Sequence, residues 1–522
     1  MKSFKKVLAL VLICVIASGI FAGCGKEEKQ DLGEKLKVSV TVTTSEANLK
    51  DDKLYKFISD KFGLEFDIKP IPTEGMAEKT RLMVASGTLS DLTFGEFMYK
   101  DYLSWGKQGL IKPLPEDYKE KYPNIHRALQ RTKMLEKLEE EGNGFMYGIP
   151  RAMTSNDQYG IDIDAPNIDR HCFAYRKDWA EKLGIEVSPI MKYDDFIDMA
   201  VAFKKADFGN VGQANNMGIA VSSSNAPFIF IHAQNPNWNI FYKNSKGKYV
   251  CGYNDKATLE GVKAYREAYE KGVLHKSFYT HKTSDIQGYF HSQKTGLLFQ
   301  TFGGGEIQKF KTDFESANPG LDADECIGLT WIEGKDGKVR GRETTNYWSC
   351  LYFNPDIDEE VYTRLLTMID FFASEEGAML LGSGFEGEDY KIEDGKFVSL
   401  IPVDENKTPK PLKDVYPSIE LFSLFNPSSR IAKTIEQKNI DLVRDMIQAK
   451  LDSDLETKKI NLDVEFYTSD KYGKFMSTHD IATMATEIIT KGGNIEKSWK
   501  EKISSIQHKI DEVCSEMNKT LK

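Results

Sequence analysis

The chain has 522 residues, 40% of them hydrophobic and 28% charged, and its formal net charge at pH 7 is −10. This length predicts two or more domains of a soluble globular protein, and the net acidic charge argues against nucleic acid as a partner. The seven cysteines are widely spaced and contain no C-x-x-C pair, which is not the pattern of a disulfide scaffold. Beyond the N-terminal region most of them are predicted to be buried free thiols, with one disulfide left open among Cys172, Cys251, Cys326, Cys350 and Cys514.

The N-terminus has the pattern of a secretion signal. Three lysines precede an uncharged run over 7–20, which has the length of a signal-peptide core and is shorter than the roughly 20 residues of a membrane-spanning helix. The run ends in Phe-Ala-Gly-Cys, which resembles the bacterial lipobox with Phe21 where Leu is usual. We predict a signal peptide over 1–23, a lipid on Cys24 and a flexible polar tether over 24–34. An uncleaved anchor is the alternative.

After the tether, the spacing at which apolar residues recur alternates between the two-residue period of strands and the 3.6-residue period of helices. Apolar residues alternate over 35–43 and again over 64–68, and between them they recur at helical spacing over 54–62. Strand, helix and strand in this order favour a parallel α/β sheet with its helix packed outside. Further apolar stripes predict helices over 76–86, 177–183, 196–203, 259–269, 361–372 and 503–510, and strands over 145–150, 172–175 and 296–299.

Sequence signatures of common enzymes are absent. There is no G-x-S-x-G, H-E-x-x-H or C-x-x-C motif, and the glycines at 303–305 are not followed by the Lys-Ser/Thr of a phosphate loop. The spacing of His275, His281 and His291 suits no single helix face, so a zinc site is not predicted. A glycosidase needs only two carboxylates brought together in space, so a secreted glycan hydrolase or lyase stays open.

Several short segments together resemble a known family. The stretch 173–204 contains Tyr-Arg-Lys-Asp-Trp, Lys-Leu-Gly and Ala-Phe-Lys, and 147–150 reads Tyr-Gly-Ile-Pro. Further matches follow in the same order at 83–92, 109–114, 269–274 and 384–390. Each segment alone is weak, but as a set they are similar to the extracellular solute-binding proteins of family 1, in the branch of large lipoproteins of Gram-positive bacteria.

The resemblance implies an α/β, two-lobed periplasmic-binding-protein-like fold of class II, with a ligand cleft between the lobes. We expect 35–152 to form lobe 1, with 345–384 returning to it, and 153–344 to form lobe 2, completed by 385–522. The resemblance also implies a monomeric binding protein that captures a sugar or oligosaccharide and delivers it to the permease subunits of an ABC importer. Such a protein is not an enzyme and needs no cofactor. A surface binding or sensor protein of the same fold is an alternative, and peptides would also suit such a cleft.

A sugar-binding site contains two kinds of side chain: flat aromatic rings cover the apolar C–H faces of the sugar, and polar side chains bind its hydroxyls. The candidate ligand-binding residues are of these two kinds. Trp238 and Asn239 lie in a polar segment without a helical stripe. Adjacent residues on a strand point to opposite faces, so one of Tyr347 and Trp348 is expected in the core and the other in the cleft. The remaining candidates stand in or beside loops near the expected crossings between lobes: Thr44, Arg151, Glu386 and Tyr390.

Many members of the family carry a calcium loop at the position equivalent to 207–218. Calcium prefers about six oxygen ligands, mostly from carboxylates. Here only Asp207 is acidic, and Gly209, Val211 and Asn215 stand where oxygen ligands are expected. We therefore predict no metal at this loop.

Overall fold

The computed structural model describes residues 33–44, 49–72, 75–132, 134–152, 155–162, 164–282, 285–344, 347–393, 396–401, 412–428, 435–458, 461–465, 467 and 469–521. The predicted signal peptide, the lipidation site Cys24 and the tether as far as residue 32 lie outside these residues. None of the helices in the described ranges combines the length and the apolar character that a membrane crossing requires.

Fifteen strands are present in the described residues: β1 Leu36–Thr43, β2 Leu64–Ile71, β3 Leu92–Glu96, β4 Ile149–Ala152, β5 His171–Arg176, β6 Ile190–Met191, β7 Phe241–Lys243, β8 Tyr249–Cys251, β9 Leu297–Thr301, β10 Ile327–Ile332, β11 Val339–Arg342, β12 Tyr347–Phe353, β13 Tyr390–Glu393, β14 Lys396–Ser399 and β15 Leu455–Lys458.

The α-helices of the same part of the chain are Lys53–Phe62, Met76–Ala85, Tyr99–Lys107, Tyr118–Lys121, Pro123–Gln130, Leu135–Glu141, Lys177–Lys182, Tyr193–Ala206, Lys256–Glu270, Ile286–His291, Gly304–Ala317, Ala323–Cys326, Glu359–Ala373, Glu375–Ser383, Leu412–Val415, Ile419–Phe425, Gln437–Leu451, Leu462–Glu465, Asp470–Thr478, Ile481–Lys491 and Ile495–Thr520. Short 3-10 helices span Asn156–Tyr159, Gly252–Asn254 and Phe278–Thr280, and a π-helix spans Phe228–His232.

The first sheet has the strand order β2-β1-β3-β12-β4. The pairs β1–β2 and β1–β3 are parallel, as the strand–helix–strand order of the sequence predicted, whereas β12 is antiparallel to both of its neighbours. The central strand β1 buries Val38, Val40 and Val42 completely. The helix Lys53–Phe62 starts where the Asp52 carboxylate accepts the backbone N–H of Tyr55, and this sheet with its helices encloses the first hydrophobic core, which defines lobe 1.

The second sheet has the strand order β6-β10-β5-β9. The strand β5 pairs antiparallel with both β9 and β10, and β10 pairs parallel with β6. All six residues of β10 are buried, because helices cover both faces of this strand. A second hydrophobic core surrounds the sheet and defines lobe 2.

The chain crosses between the two cores at segments that also contact one another. Residues 153–170 lead from β4 to β5, and 343–346 lead from β11 back to β12. These two segments pair in antiparallel fashion at Ile168 and Glu343. Together they form the hinge between the lobes.

The lobe boundary at 385 differs from the sequence-based expectation. Core residues of lobe 1 continue through Tyr416, Leu421 and Phe425, whereas core residues of lobe 2 resume only at Val443. The segment 385–428 therefore packs with lobe 1, and the chain from Val443 onward contributes its buried residues to lobe 2, while the partly buried Leu462 still contacts the lobe 1 core. The apolar face of the short helix Ile419–Phe425 packs onto the first sheet, where Phe422 meets Phe66 with ring centroids 5.5 Å apart. No sequence pattern indicates to which of two cores such a face belongs.

The Tyr-Arg-Lys-Asp-Trp segment is explained by packing within lobe 2. The buried Arg176 guanidinium donates to both carboxylate oxygens of Asp178, each at 2.7 Å. It lies 4.6 Å from the Trp179 ring and 5.1 Å from the Phe314 ring. This bidentate and stacked geometry requires Arg rather than Lys. The segment is therefore structural at the point where β5 enters its helix.

All five cysteines after the N-terminal region are free thiols. Cys172, Cys251, Cys326 and Cys350 are buried, and Cys514 is partly buried. Burial raises the pKa of the Cys172 thiol to about 12, so this side chain packs as a small neutral apolar group.

Candidate functional site

A cavity of about 770 Å³ opens on the surface of lobe 2 beside the hinge. His171, the first residue of β5, and Arg342, the last residue of β11, line its hinge end. Three aromatic side chains, Phe228, Trp238 and Tyr279, provide ring surfaces. The volume is that of a site for a small organic ligand. Hydroxyl and amide groups make up most of the remaining lining: Ser223, Ser224, Asn225, Asn239, Thr483, Thr486 and Thr490.

The segment that carries Trp238 and Asn239 is held in place by local hydrogen bonds. The Asn235 side-chain amide donates to Asp255 and to Thr258, each at 2.9 Å, and its oxygen accepts the backbone N–H of Asn237. Gly252 is needed beneath this segment, because an added Cβ would lie 1.8 Å from the Asn237 carbonyl oxygen. Trp238 is thus a buried wall of the cavity, and Asn239 is half-buried beside it.

The π-helix Phe228–His232 forms the floor of the cavity next to the hinge. Phe228 lines the cavity, while His232, four residues later, is buried and stacks on the Phe228 ring with centroids 4.3 Å apart. Burial lowers the pKa of His232 from its usual 6.5 to about 3, so this imidazole is neutral. Single π-turns of this kind are frequent at functional sites.

The opposite wall is the helix Ile481–Lys491, which is divided into two faces. Its apolar residues Met484, Ile488 and Ile489 are buried against lobe 2, and the buried Ile481 in the first turn also reaches the cavity. Thr483, Thr486 and Thr490, at i, i+3 and i+7, lie on the other face and line the cavity. This row of hydroxyls is regularly spaced along the helix.

Formal charges in the cavity are few, and most have partners in the protein. Asp480 caps the helix Ile481–Lys491 by accepting the backbone N–H of Thr483 at 2.9 Å and its hydroxyl at 2.5 Å. Glu487 lies 3.8 Å from Lys491 at the exposed side. Arg342 lies 3.8 Å from Asp169. The lining therefore suits a ligand that is mainly uncharged and rich in hydroxyl groups.

The structure brings together only part of the predicted set of site residues. Trp238 and Asn239 both line the cavity. Tyr347 and Trp348 begin β12 in lobe 1, and the two adjacent rings have different environments: Tyr347 packs edge-on against Phe97 at 4.8 Å, whereas Trp348 is 42% exposed. Trp348 follows the cavity residue Arg342 by six positions, so the chain places it at most about 21 Å away, across the hinge.

Arg151 lies in lobe 1 and has contacts within the protein. Its guanidinium donates to the backbone carbonyls of Asn426 and Ser423 at 2.8 and 2.9 Å, and to the Ser349 hydroxyl at 3.2 Å. These contacts use three of its five N–H donors. Burial lowers the pKa of Arg151 to about 10, so the side chain is still a cation at neutral pH and holds the 423–426 turn against β12.

The other three predicted residues lie elsewhere in lobe 1. Glu386 is exposed in the turn before β13, and Tyr390 is buried at the start of the β13–β14 hairpin, where it pairs with Ser399. Thr44 is half-buried at the end of β1. None of the three lines the cavity.

Several cavity residues were missed from the sequence. His171 and Arg342 carry no motif, since they come together only because two crossing segments pair. The threonines of helix Ile481–Lys491 had a readable signal, a polar row at helical spacing opposite an apolar row. The polar run Ser222–Asn225 directly after buried Ile219–Val221 was a second signal.

The one acidic side chain of the 207–218 loop is engaged by the loop's own backbone. Asp207 accepts the backbone N–H groups of Val211 and Gly212 at 3.1 and 2.9 Å. Within the described ranges, no three His, Cys, Asp or Glu side chains converge as a metal site requires.

A sequence model of the bacterial extracellular solute-binding protein family matches residues 54–378, which is more than half of the chain. The chain belongs to this family. The family resemblance inferred from the short segments and the two-lobed α/β fold are thereby confirmed, and the family is one of binding proteins rather than enzymes.

Among curated proteins, the chain is 22% identical over 444 residues to Lipoprotein LipO of Bacillus subtilis, covering 81% of this chain and 80% of LipO. It is 28% identical over 230 residues to the fructooligosaccharide ABC transporter substrate-binding protein FusA of Streptococcus pneumoniae, covering 43% of this chain and 41% of FusA. The crystal structure of the alginate-binding protein AlgQ2 without calcium ion superposes with a TM-score of 0.62 at 15% identity, covering 95% of this chain and 99% of AlgQ2.

Proposed function

We propose that this protein is a lipid-anchored extracellular solute-binding protein that captures an oligosaccharide and delivers it to an ABC importer. The single observation that carries the proposal is the cavity beside the hinge, which combines ring surfaces with a row of hydroxyl and amide groups. Family membership supports the solute-binding part, and the similarity to the ABC transporter substrate-binding protein FusA supports the transporter part.

The mode of binding follows from the positions of the lining residues. Tyr279 offers a flat surface to the C–H face of a sugar ring, the buried Trp238 forms the wall behind it, and Asn239 and the threonines bind the sugar's hydroxyls. Trp348 stands at the lobe 1 side of the hinge and is available to cover the ligand when the lobes close. A ligand that contacts both lobes stabilises the closed form, and a permease then distinguishes it from the open form by shape.

A thermal-shift screen of the chain from residue 25 onward tests the ligand class. The panel contains kestose, alginate oligosaccharides, chitin oligosaccharides and short peptides. At one hundred times the Kd, a ligand that binds only the folded protein adds about 2.7 kcal/mol and raises the Tm of a chain of this length by about 2–3 °C. A rise with peptides alone would refute the carbohydrate assignment.

Matched variants test the position of the site. Tyr279 is 50% exposed, so Tyr279→Ala should fold normally and yet reduce the ligand-induced rise by half or more. Phe145→Ala removes a comparably exposed ring from lobe 1 outside the cavity and should leave the rise unchanged. Equal effects of the two variants would place the ligand elsewhere.

The lipid anchor is tested at Cys24. Mass spectrometry of the membrane-extracted protein should show a diacylated Cys24 as the N-terminal residue, and Cys24→Ala should prevent cleavage and lipid addition. Cys514→Ala serves as the control, because its thiol lies within lobe 2. An intact Met1 in the wild-type protein would favour the uncleaved anchor.

A further inference from the structure

A buried carboxylate lies behind the cavity, inside the hinge. Asp169 belongs to the first crossing segment, and its side chain is only 6% exposed. One carboxylate oxygen lies 3.6 Å from Nδ1 of His171, and the other lies 3.8 Å from Nε of Arg342, the last residue of β11 directly before the second crossing segment. Neither oxygen has a hydrogen-bond partner among the described residues. Such a group requires an explanation, because buried polar atoms are normally paired.

The surroundings keep this carboxylate ionised. Burial alone would raise the pKa of Asp169, but the neighbouring His171 and Lys450 hold it below its usual range. Lys450 itself donates to the backbone carbonyl of His171 at 2.5 Å and lies 3.9 Å above the Trp331 ring. Asp169 is therefore a charged acceptor whose nearest mobile donors are the side chains of His171 and Arg342.

Both donors reach the cavity with their other ends. The His171 ring stacks on Phe299 with centroids 5.4 Å apart, its Nδ1 is buried, and the side chain is 23% exposed. The residue also lines the cavity, and because Nδ1 is buried, Nε2 is the ring nitrogen available to a ligand there. Arg342 turns Nε toward Asp169, is 44% exposed and lines the same end of the cavity.

We propose that Asp169 is a positioning residue that makes His171 a hydrogen-bond acceptor and Arg342 a donor at the hinge end of the cavity. A carboxylate that accepts Nδ1–H fixes the tautomer in which Nε2 carries a lone pair toward the ligand. An acceptor and a donor side by side match a hydroxyl group, which has both functions. This inference rests on the proposed capture of a hydroxyl-rich ligand.

The same contacts connect ligand binding to the hinge. Asp169 and Arg342 each directly adjoin one residue of the Ile168–Glu343 bridge between the two crossing segments, and the backbone N–H of Asp169 donates to the Arg342 carbonyl at 2.8 Å. A movement of about 0.5–1 Å brings either side-chain contact to hydrogen-bond distance. A ligand hydroxyl that draws His171 and Arg342 together thus acts directly on the segments that bend.

The tautomer of His171 tests the inference without any ligand. The chain from residue 25 is labelled with ¹⁵N-histidine, and two-bond ¹H–¹⁵N correlations are recorded at pH 8, with His171→Gln assigning the signal. We expect the Nδ1–H tautomer to dominate in the wild-type protein. In Asp169→Ala the ratio of Nδ1–H to Nε2–H should fall by about tenfold or more. The control Asp445→Ala removes an exposed carboxylate of the same lobe and should leave the ratio unchanged.

A wild-type His171 that mainly carries Nε2–H would overturn the inference, as would an unchanged ratio in Asp169→Ala. If Asp169→Ala does not fold, the wild-type tautomer alone decides. Failure of the proposed function is detected separately. It would appear as the absence of an oligosaccharide-induced rise in Tm in the thermal-shift screen, and the tautomer measurement, which uses no ligand, does not depend on it. If an oligosaccharide binds and the wild-type His171 carries Nε2–H, the role of Asp169 is wrong while the proposed function stands.

Discussion

At the residue scale, the buried Arg176–Asp178 pair shows why a charged motif occurs inside lobe 2. Arg176 cannot lose its proton, so its charge must be compensated where it is buried between Trp179 and Phe314. Asp178→Ala leaves this guanidinium unpaired and should lower the free energy of unfolding by about 3 kcal/mol or more. Urea denaturation checks this, with Glu181→Ala, an exposed carboxylate of the same helix, expected to change little. Equal losses in the two variants would contradict the stacked-pair interpretation.

His232 predicts a dependence of stability on pH. Its pKa is near 6.5 when unfolded and about 3 in the folded protein, so its contribution is complete above pH 6.5 and is lost as the pH falls from 6.5 toward 3. Between pH 6.5 and 5 this loss amounts to about 2 kcal/mol. His232→Phe keeps the ring that stacks on Phe228 and removes the titration, so its Tm should fall less between pH 7 and pH 5 than that of the wild-type protein. Parallel Tm curves for the two proteins would argue against the buried neutral imidazole.

At the element scale, the loop after the helix Tyr193–Ala206 is stabilised by side-chain amides. Asn216 donates to the Lys204 carbonyl at 2.6 Å, and Gln213 donates to the Lys204 and Lys205 carbonyls at 3.1 and 3.2 Å. These bonds satisfy the last carbonyl groups of the helix. The loop therefore has its own internal support.

We predict that neither excess calcium nor a chelator changes the Tm by more than about 1 °C, because no bound cation contributes to folding. Asn216→Ala, in contrast, removes a buried hydrogen bond and should lower the free energy of unfolding by about 1–2 kcal/mol. Asn215→Ala, at an exposed neighbouring amide, is the matched control. A calcium-dependent rise in Tm that Asp207→Ala abolishes would restore a metal site.

At the scale of the whole molecule, one arginine connects the first crossing segment to the last segment of lobe 1. Arg131 of lobe 1 donates to Asp157 in the first crossing segment at 2.6 Å and to Ser428, the end of the lobe 1 chain, at 2.9 Å. Ser428 also bridges to Ala152 at the end of β4. The side chain thus ties the N-terminal side of the hinge to the last segment of lobe 1.

Removing this tie should affect the relative motion of the lobes more than the fold of either lobe. We expect Arg131→Ala to broaden the interdomain distance distribution, measured by double electron–electron resonance between spin labels in the two lobes, and to lower the Tm by a few degrees. Arg127→Ala changes an exposed arginine at the end of the same lobe 1 helix and is the control. An unchanged distribution in Arg131→Ala would show that the backbone pairing at Ile168 and Glu343 alone defines the hinge.

Local patterns in the sequence determined much of this protein. The alternation in β1 and the helical spacing after it predicted a parallel α/β unit, because burial of one face depends only on the period of the apolar residues. The ordered short segments indicated the family that the sequence comparison then confirmed. Trp238 and Asn239 were predicted in the same way, since a tryptophan in a polar segment without a helical stripe is a local feature, and both residues line the cavity.

Contacts between distant segments were decided only by the tertiary structure. The assignment of 385–428 to lobe 1, the engagement of Arg151 by the 423–426 turn and the meeting of Asp169 with Arg342 all join residues more than 100 positions apart. The period of the apolar residues shows that a helix or strand has an apolar face. It does not show which of the two lobes will cover that face. The cavity and its hinge therefore follow from how the crossing segments pair, which is a property of the folded chain.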